Sequence, residues 1–250
     1  MSKYNLSKTS TRAPEKLDKL EIKEKTLEYI ARIDELQNIL YAESKWSLLI
    51  VLQGMDASGK DGAVREVFSA MNPQGVMVKS FKKPTKEELS HDFLWRVHKY
   101  VPKRGMIQIF NRSHYEDVLV TRVKGIIDDD TARKRFRLIN SFEDLLNEAN
   151  TKILKFYLHI SKEEQKERFQ DRLNNPRKHW KFNPEDLKTS ENWGEYEKYY
   201  EEVFENCGKK IPWIIVPSDQ NWYKEYIIAK TIVKTLESLN LKYPKLQFNE

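Results

Sequence analysis

Segment 48–62, with the sequence LLIVLQGMDASGKDG, constrains the fold of this chain more than any other stretch. Its first five residues are all apolar and a glycine follows shortly after, which is typical of a strand buried on both faces of a parallel sheet. Residues 54–60 match G-x-x-x-x-G-K, a loop whose backbone N–H groups approach phosphate oxygens while its lysine reaches the transferred group. We expect a helix to follow, with its partial positive charge directed at the same anion.

Two aspartates make this loop unusual. The motif normally ends in Ser or Thr, whose hydroxyl binds magnesium, but Asp61 stands at that position. We expect Asp61 to point away from Lys60 and to stabilise the helix N-terminus. Asp56 lies inside the loop, where a carboxylate would repel phosphate unless a magnesium ion were shared between them. We therefore predict that Asp56 is the main metal ligand.

Length and composition indicate a single intracellular domain. The chain has 250 residues, 39% of them hydrophobic, and we expect one domain over residues 15–250 after a disordered arm at 1–14. One cysteine excludes an internal disulfide framework, and no apolar run approaches the ~18 residues of a membrane span. The N-terminus lacks the apolar core of a signal peptide. We therefore expect a cytoplasmic protein with no membrane contact.

Hydrophobic spacing predicts alternating strands and helices. Between residues 15 and 44, apolar residues at helical spacing predict a long amphipathic helix against the domain or a partner subunit, and we expect a homo-oligomer. Five strands are predicted, at 48–52, 76–81, 106–110, 153–160 and 213–217, with helices over 60–71, 87–101, 128–150, from 161, and over 222–239. This alternation predicts a three-layer α/β domain with a mostly parallel five-stranded sheet.

Two further segments carry polar residues that suit a phosphate site. The strand at 106–110 ends in NRSHYED, where folds of this kind place further metal and phosphate contacts. Ser161 and Glu164 predict a capping box at the start of a helix that carries Arg168 and Arg172 one turn apart. That helix runs into NNPRKHWKF, and we predict a mobile lid over about 166–188.

Positive charge is concentrated beside these segments. The net charge is +6, yet residues 75–123 carry ten Lys or Arg against five Asp or Glu, and residues 166–181 carry six against two. Like charges gathered in two windows indicate a polyanionic ligand, although scattered solvated lysines would give the same count in a single window. The basic segment 79–86 could face either a nucleotide or a longer polyanion.

The pattern as a whole resembles the second family of polyphosphate kinases. The resemblance extends from about residue 46 to 235 and rests on LQGMDASGKDG, NPQGVMVKSFKKPTKEELSHDFLWR, IFNRSHYEDVLVTRV, LHISKEEQKERFQDRL and NPRKHWKF. It implies a P-loop kinase-like fold with a helical lid, and a magnesium-dependent, reversible transfer of the terminal phosphate of inorganic polyphosphate to AMP, ADP or their guanine counterparts. The form FNRSHYE is similar to the branch that phosphorylates both nucleoside mono- and diphosphates. No nucleic-acid partner is expected.

The resemblance and the loop motif together give a set of candidate site residues. Arg112 is implied in a phosphate clamp at the strand end, and Lys60, Arg112 and Arg177 are the predicted catalytic residues. Many relatives have an aspartate in place of Asn111, so Glu116 is the expected second metal ligand, with Asp117 as the fallback. The remaining candidates are contacts to phosphate, nucleotide or polyphosphate: Gly54, Ala57, Ser58, Gly59, Asp61, Arg172, Lys178, Lys181, Lys79, Lys82 and Lys83.

Two other functions remain open at this point. An ATP-dependent phosphate-loop kinase acting on a nucleotide or metabolite would keep the fold and most of the magnesium chemistry, so only the phosphate donor distinguishes it. A non-catalytic polyanion-binding protein would explain the basic windows with their Trp and Tyr residues. Such a protein has no need of a lysine in a phosphate loop with carboxylates beside it.

Overall fold

The computed structural model describes residues 4–181 and 191–246, and they contain a five-stranded sheet. The strand order is β2-β3-β1-β4-β5, and every pairing is parallel. The predicted three-layer α/β fold is therefore confirmed, with all strands parallel. The strands are β1 Ser47–Gln53, β2 Val76–Ser80, β3 Ile107–Asn111, β4 Thr151–His159 and β5 Trp213–Pro217.

The helices follow the predicted order, with several shorter than expected. The segment expected to form one helix over 87–101 contains two single-turn helices, because the carboxylate of Asp92 accepts hydrogen bonds from the N–H groups of Leu94 and Trp95 and starts a new turn. The helices are α1 Lys19–Glu43, α2 Lys60–Val67, α3 Lys86–Leu89, α4 Trp95–His98, α5 Val120–Val123, α6 Asp129–Glu148, α7 Lys162–Asn174, α8 Trp193–Cys207 and α9 Asn221–Ser238.

The strand β1 lies in the middle of the sheet, and all seven of its residues are buried. Its side chains alternate between two hydrophobic cores, as the period of two in a strand requires. Leu49 and Val51 pack under α6 and α8, whose Trp193, Tyr196 and Tyr200 are buried there. The residues Leu48, Ile50 and Leu52 pack on the other face, under α1, α2 and α9, so helices cover both faces of the sheet.

The N-terminal segment corrects the expectation of a disordered arm. Residues 4–14 lie against the domain, and Leu6 is buried in the core beside α8. The N–H of Leu6 donates to Glu201, the hydroxyl of Thr11 donates to Asp219, and the N–H of Ala13 donates to Gln220. These partners lie about 200 residues away along the chain, and local composition cannot reveal contacts of that separation.

The long helix α1 begins after Asp18, whose side chain caps it, and its second half packs on α9. Its first half exposes Leu20 and Leu27, which are 71% and 67% accessible, so the expectation of a partner subunit stays a prediction. None of the helices in the ranges that the structure describes is long and apolar enough to cross a membrane.

A buried ionic cluster lies inside the domain between β4 and α6. The ammonium of Lys155 donates to Glu143 at 2.6 Å, to the hydroxyl of Tyr115 at 3.0 Å and to the carbonyl of Cys207 at 2.5 Å. Tyr115 donates to the other oxygen of Glu143 at 2.7 Å, and His114 contacts the same oxygen. His114 and Tyr115 follow the end of β3 directly, so this cluster holds the segment that leaves the strand.

Candidate active site

The phosphate loop, residues 54–59, joins the carboxyl end of β1 to the first turn of α2, as the motif predicts. Three of its residues have positive φ angles: Gly54 at 152°, Ala57 at 62° and Gly59 at 92°. Ala57 is not a glycine, so its left-handed conformation costs about 1 kcal/mol and must be maintained by its surroundings. The loop is therefore a constrained turn whose backbone is held in place by its neighbours.

Lys60 lies inside the loop, where its ammonium donates to the carbonyls of Gly54 at 2.7 Å and Met55 at 3.0 Å. Burial lowers the pKa of Lys60 to about 8, and the nearby Arg112 acts in the same direction. Three carboxylates, those of Asp56, Glu116 and Asp61, oppose this shift. Lys60 is thus a poorly solvated cation at the centre of a charged site, and a bound phosphate would stabilise its ammonium form.

The end of β3 lies beside the loop because β3 pairs with β1, with Asn111 opposite Leu52. Arg112, at a φ of 61°, turns back so that its guanidinium donates to the carboxylate of Asp56 at 2.9 Å. The amide of Asn111 donates to the carboxylate of Asp61 at 2.7 Å. Both aspartates of the loop therefore have a partner at the strand end, and Asp61 does not pair with Lys60, as predicted.

The described part of the predicted lid, 166–181, contains most of α7 and a 3-10 helix, Pro176–Lys181. Ser161 caps α7, but the predicted capping box is only half present because the side chain of Glu164 pairs with Arg168. The ammonium of Lys181 lies 3.8 Å from the carboxylate of Asp61, so this end of the lid reaches the loop. Residues 182–188 of the predicted lid lie outside the described residues.

The other lid cations point in different directions. Lys178 pairs with Asp171 on α7, and a guanidinium nitrogen of Arg172 lies 3.4 Å from the carbonyl oxygen of Lys181. Arg177 is exposed on the 3-10 helix. The structure therefore brings Lys181 to the loop and leaves Arg177 and Lys178 at the surface, so their contact with phosphate and the movement of the lid stay predictions.

The predicted metal ligands are only partly brought together. Within residues 4–181 and 191–246, no three His, Cys, Asp or Glu side chains are arranged to hold a metal ion. Asp117 is nearly buried and lies 3.8 Å from Arg135, and this burial raises its pKa to about 6. Asp117 therefore lies between Arg135 and the charge of Glu116, and its assignment as the fallback metal ligand stays a prediction. Asp56 and Glu116 remain beside Lys60 and offer the one or two carboxylates that magnesium takes together with waters and phosphate oxygens.

Comparison with known families shows which family the chain belongs to. The family model described as polyphosphate kinase 2 (PPK2) matches residues 16–244. The chain belongs to the polyphosphate kinase 2 family. The match covers the loop, the strand end and the lid, so the sequence resemblance is confirmed over all the segments that carried it.

Relatives of this family member are similar over most of its length. The AMP/ADP-polyphosphate phosphotransferase of Meiothermus ruber is 49% identical over 215 residues, which span 86% of this chain and 80% of that protein. The ADP-polyphosphate phosphotransferase of Rhodopseudomonas palustris is 42% identical over 86% of this chain and 79% of that protein. The crystal structure of polyphosphate kinase 2 from Arthrobacter aurescens TC1 has a TM-score of 0.95 and 40% identity, covering 100% of this chain and 91% of that one.

In this polyphosphate kinase 2 family member, the basic segment 79–86 begins on β2, which is separated by β3 from the strand that leads into the loop. Lys79 lies on β2, the edge strand, with its ammonium 3.8 Å from the centre of the Tyr100 ring, and Lys82 and Lys83 are exposed. Their assignment to nucleotide or polyphosphate stays a prediction. Three residues that approach the loop from behind, Gln165, Arg168 and Lys224, were not predicted as site residues, and only the spacing of Arg168 from Arg172 hinted at one of them.

The pairing of Asn111 with Asp61 predicts a specific defect for Asn111→Asp. This change would place a second carboxylate where the amide donates at 2.7 Å. Because Asp61 is largely exposed, we expect a loss of only about 1 kcal/mol in the free energy of unfolding. Urea denaturation measures the loss, and adding Asp61→Asn should restore most of the stability. Equal losses in the single and double variants would contradict this pairing.

Proposed function

We propose that this protein transfers the terminal phosphate of inorganic polyphosphate to AMP and to ADP, reversibly and with magnesium. The observation that carries the proposal is the similarity to the AMP/ADP-polyphosphate phosphotransferase of Meiothermus ruber, 49% identical over 86% of this chain. The residues that surround the loop suit this chemistry. They supply backbone donors, a buried lysine, carboxylates and a lid rich in cations.

Each part of the site has a task in phosphoryl transfer, where catalysis depends on positioning and on charge stabilisation. The loop N–H groups and Lys60 bind the phosphate chain, with Lys60 moving from the loop carbonyls to phosphate oxygens. Arg112, which donates to Asp56 at 2.9 Å, stands at the strand end beside the loop and would contact a phosphate bound between them. A lid cation such as Arg177 stabilises the charge that develops on the transferred group.

Magnesium is the metal that the donor set favours. Asp56 and Glu116 provide hard oxygen ligands, and a site with few protein ligands is typical of a metal that also binds phosphate. When bound, magnesium would neutralise charge on the phosphate oxygens. Asp56 needs no rearrangement of the fold to serve, because it already lies inside the loop with its side chain 18% exposed.

The assignment of Asp56 predicts opposite outcomes for the two aspartates of the loop. Asp56→Asn should raise the magnesium concentration needed for half-maximal rate and lower the maximal rate, because the amide is a weaker ligand for a hard cation. Asp61→Asn is the matched control and should leave the magnesium dependence unchanged, while costing a few tenths of a kcal/mol at the helix N-terminus. Titrating magnesium in both variants checks this. If Asp56→Asn left the magnesium dependence unchanged while Asp61→Asn abolished it, the assignment of the two aspartates would be reversed.

The donor and the acceptors are tested in one set of reactions. The protein is incubated with magnesium and AMP or ADP, and either long-chain polyphosphate or ATP is the donor. We expect AMP to give ADP and ATP, and ADP to give ATP, with polyphosphate as donor. Phosphorylation of AMP by ATP alone, with no product from polyphosphate, would instead indicate an ATP-dependent kinase.

A further inference from the structure

Three side chains from outside the phosphate loop donate hydrogen bonds to its backbone carbonyls. We call the side of the loop that they contact its back, and the opposite side, which would face phosphate, its front. The amide of Gln165 donates to the carbonyl of Asp56 at 2.8 Å. The guanidinium of Arg168 donates to the carbonyl of Ala57 at 2.9 Å. The ammonium of Lys224 lies 3.2 Å from the carbonyl oxygen of Gly59. Two of these donors stand near the start of α7 and the third in the first turn of α9, so two separate helices meet at the loop.

These donors are themselves tightly held. The second arm of Arg168 donates to the carbonyls of Ser218 and Asp219 at 2.8 and 3.1 Å, beyond the end of β5, and its Nε donates to Glu164. Lys224 is completely buried and also donates to Asn221 at 2.7 Å. Gln165 is 4% exposed. Arg168 and Lys224 are therefore fixed by several partners each, and Gln165 is fixed by its burial, so all three are rigid supports rather than mobile surface groups.

Gly59 shows how closely this support fits the loop. A Cβ atom at this position would lie 2.4 Å from the ammonium of Lys224 and 3.2 Å from the guanidinium of Arg168. The residue also has a φ of 92°, which disfavours any side chain. The two cations therefore use the space that the missing side chain leaves open.

The direction of these carbonyls determines the direction of the amides that follow them. In a planar trans peptide, the C=O of one residue and the N–H of the next point to opposite sides. Fixing the carbonyls of Asp56 and Gly59 from behind therefore points the N–H groups of Ala57 and Lys60 towards the front of the loop. These are the groups that a phosphate-binding loop offers to its ligand.

We propose that Gln165, Arg168 and Lys224 are positioning residues for phosphoryl transfer, which fix the loop amides by holding the loop carbonyls from behind. They also join the base of α7 to the loop, so the lid is anchored directly to the phosphate site. The catalytic consequence rests on the proposed function, whereas the effect on the loop backbone does not.

Hydrogen exchange of the loop amides tests the positioning without any substrate. The peptide that covers residues 54–60 is followed by mass spectrometry in the parent protein, Lys224→Met and Gln165→Met. We expect its amides to exchange about tenfold faster or more in both variants. Gln165→Met removes one hydrogen bond and no charge, so it decides the question if Lys224→Met does not fold. The control is Arg122→Met, which removes a buried cation whose partners, Asp129 and Glu202, lie outside the loop.

Steady-state kinetics with polyphosphate and ADP give the second readout. We expect Lys224→Met to lower kcat by about 100-fold with the KM for ADP nearly unchanged, because misplaced amides weaken transition-state contacts most. Arg122→Met should lower stability and leave kcat near the parent value. Unchanged loop exchange in folded Lys224→Met and Gln165→Met would overturn the proposal, whichever phosphate donor the enzyme uses. If the loop amides exchange faster in the variants but the parent protein transfers no phosphate from polyphosphate, the positioning role is supported and only the proposed function is contradicted.

Discussion

Lys60→Met is expected to lower turnover by about 10³-fold or more and to change the free energy of unfolding by no more than about 1 kcal/mol. The loss of turnover follows because Lys60 is the cation at the centre of the loop. Its ammonium lies within 3.0 Å of two loop carbonyls, and a bound phosphate chain would replace those weak partners with full negative charge. Initial rates at saturating substrate and a denaturation curve measure the two quantities.

The free energy of unfolding of Lys60→Met is expected to change little because burial of the charged lysine is itself unfavourable. Its pKa is lowered from 10.5 to about 8, so its charged form costs free energy in the folded state. That cost is fully present below pH 8, where both states carry the charge, and it disappears as the pH rises towards 10.5. We therefore expect the stability of Lys60→Met relative to the parent to be highest near neutral pH and to decline above about pH 8. A retained turnover, or unfolding of the variant, would contradict this role.

In contrast to Lys60→Met, Lys155→Met is expected to destabilise the fold. We expect it to lower the free energy of unfolding by about 3–5 kcal/mol. Its ammonium is fully buried and contacts Glu143, Tyr115 and the carbonyl of Cys207. Removing it leaves the carboxylate of Glu143, itself 2% exposed, without its opposite charge. Urea denaturation of the parent and the variant measures the loss.

The double variant Lys155→Met, Glu143→Leu is the control for this cluster. Replacing both charges with apolar side chains removes the uncompensated carboxylate, so we expect it to recover part of the stability lost in Lys155→Met. A double variant less stable than Lys155→Met would show that Glu143 is stabilised by Tyr115 and His114 alone. A loss below about 1 kcal/mol in Lys155→Met would contradict the account of the cluster. The two variants together therefore test whether one buried lysine serves catalysis and the other the stability of the fold.

Much of the architecture could be predicted because it is encoded locally. The apolar run before Gly54 and the lysine after the loop predict a strand, a turn and a helix. Four other apolar runs predict the remaining strands of the sheet. Helix ends were less predictable: the helix expected over 87–101 is divided at Asp92, where a side-chain carboxylate competes with the helix. The half capping box at Ser161 has a similar cause, since Glu164 binds Arg168 instead.

The contacts of the site were predictable only where a motif included them. Asp56 and Lys60 belong to the loop and could be assigned from it. The pairings Asp61 with Asn111 and Lys224 with Gly59 join residues 50 and 165 positions apart. Separations of this size carry no periodic signal, because they depend on which strands become neighbours in the sheet. For the same reason, the packing of the N-terminal segment against the domain could not be predicted from its sequence.

The central claim is direct transfer from polyphosphate to both nucleotides at one loop, and radiolabelled polyphosphate tests it most directly. The labelled polymer is incubated with magnesium, unlabelled AMP and the parent protein, with Lys60→Met as the control. We predict label in the β-phosphate of ADP, then in both the β- and γ-phosphates of ATP, and far less in either nucleotide over the same time with Lys60→Met. Label that stays in the polymer or appears only as orthophosphate would contradict the account.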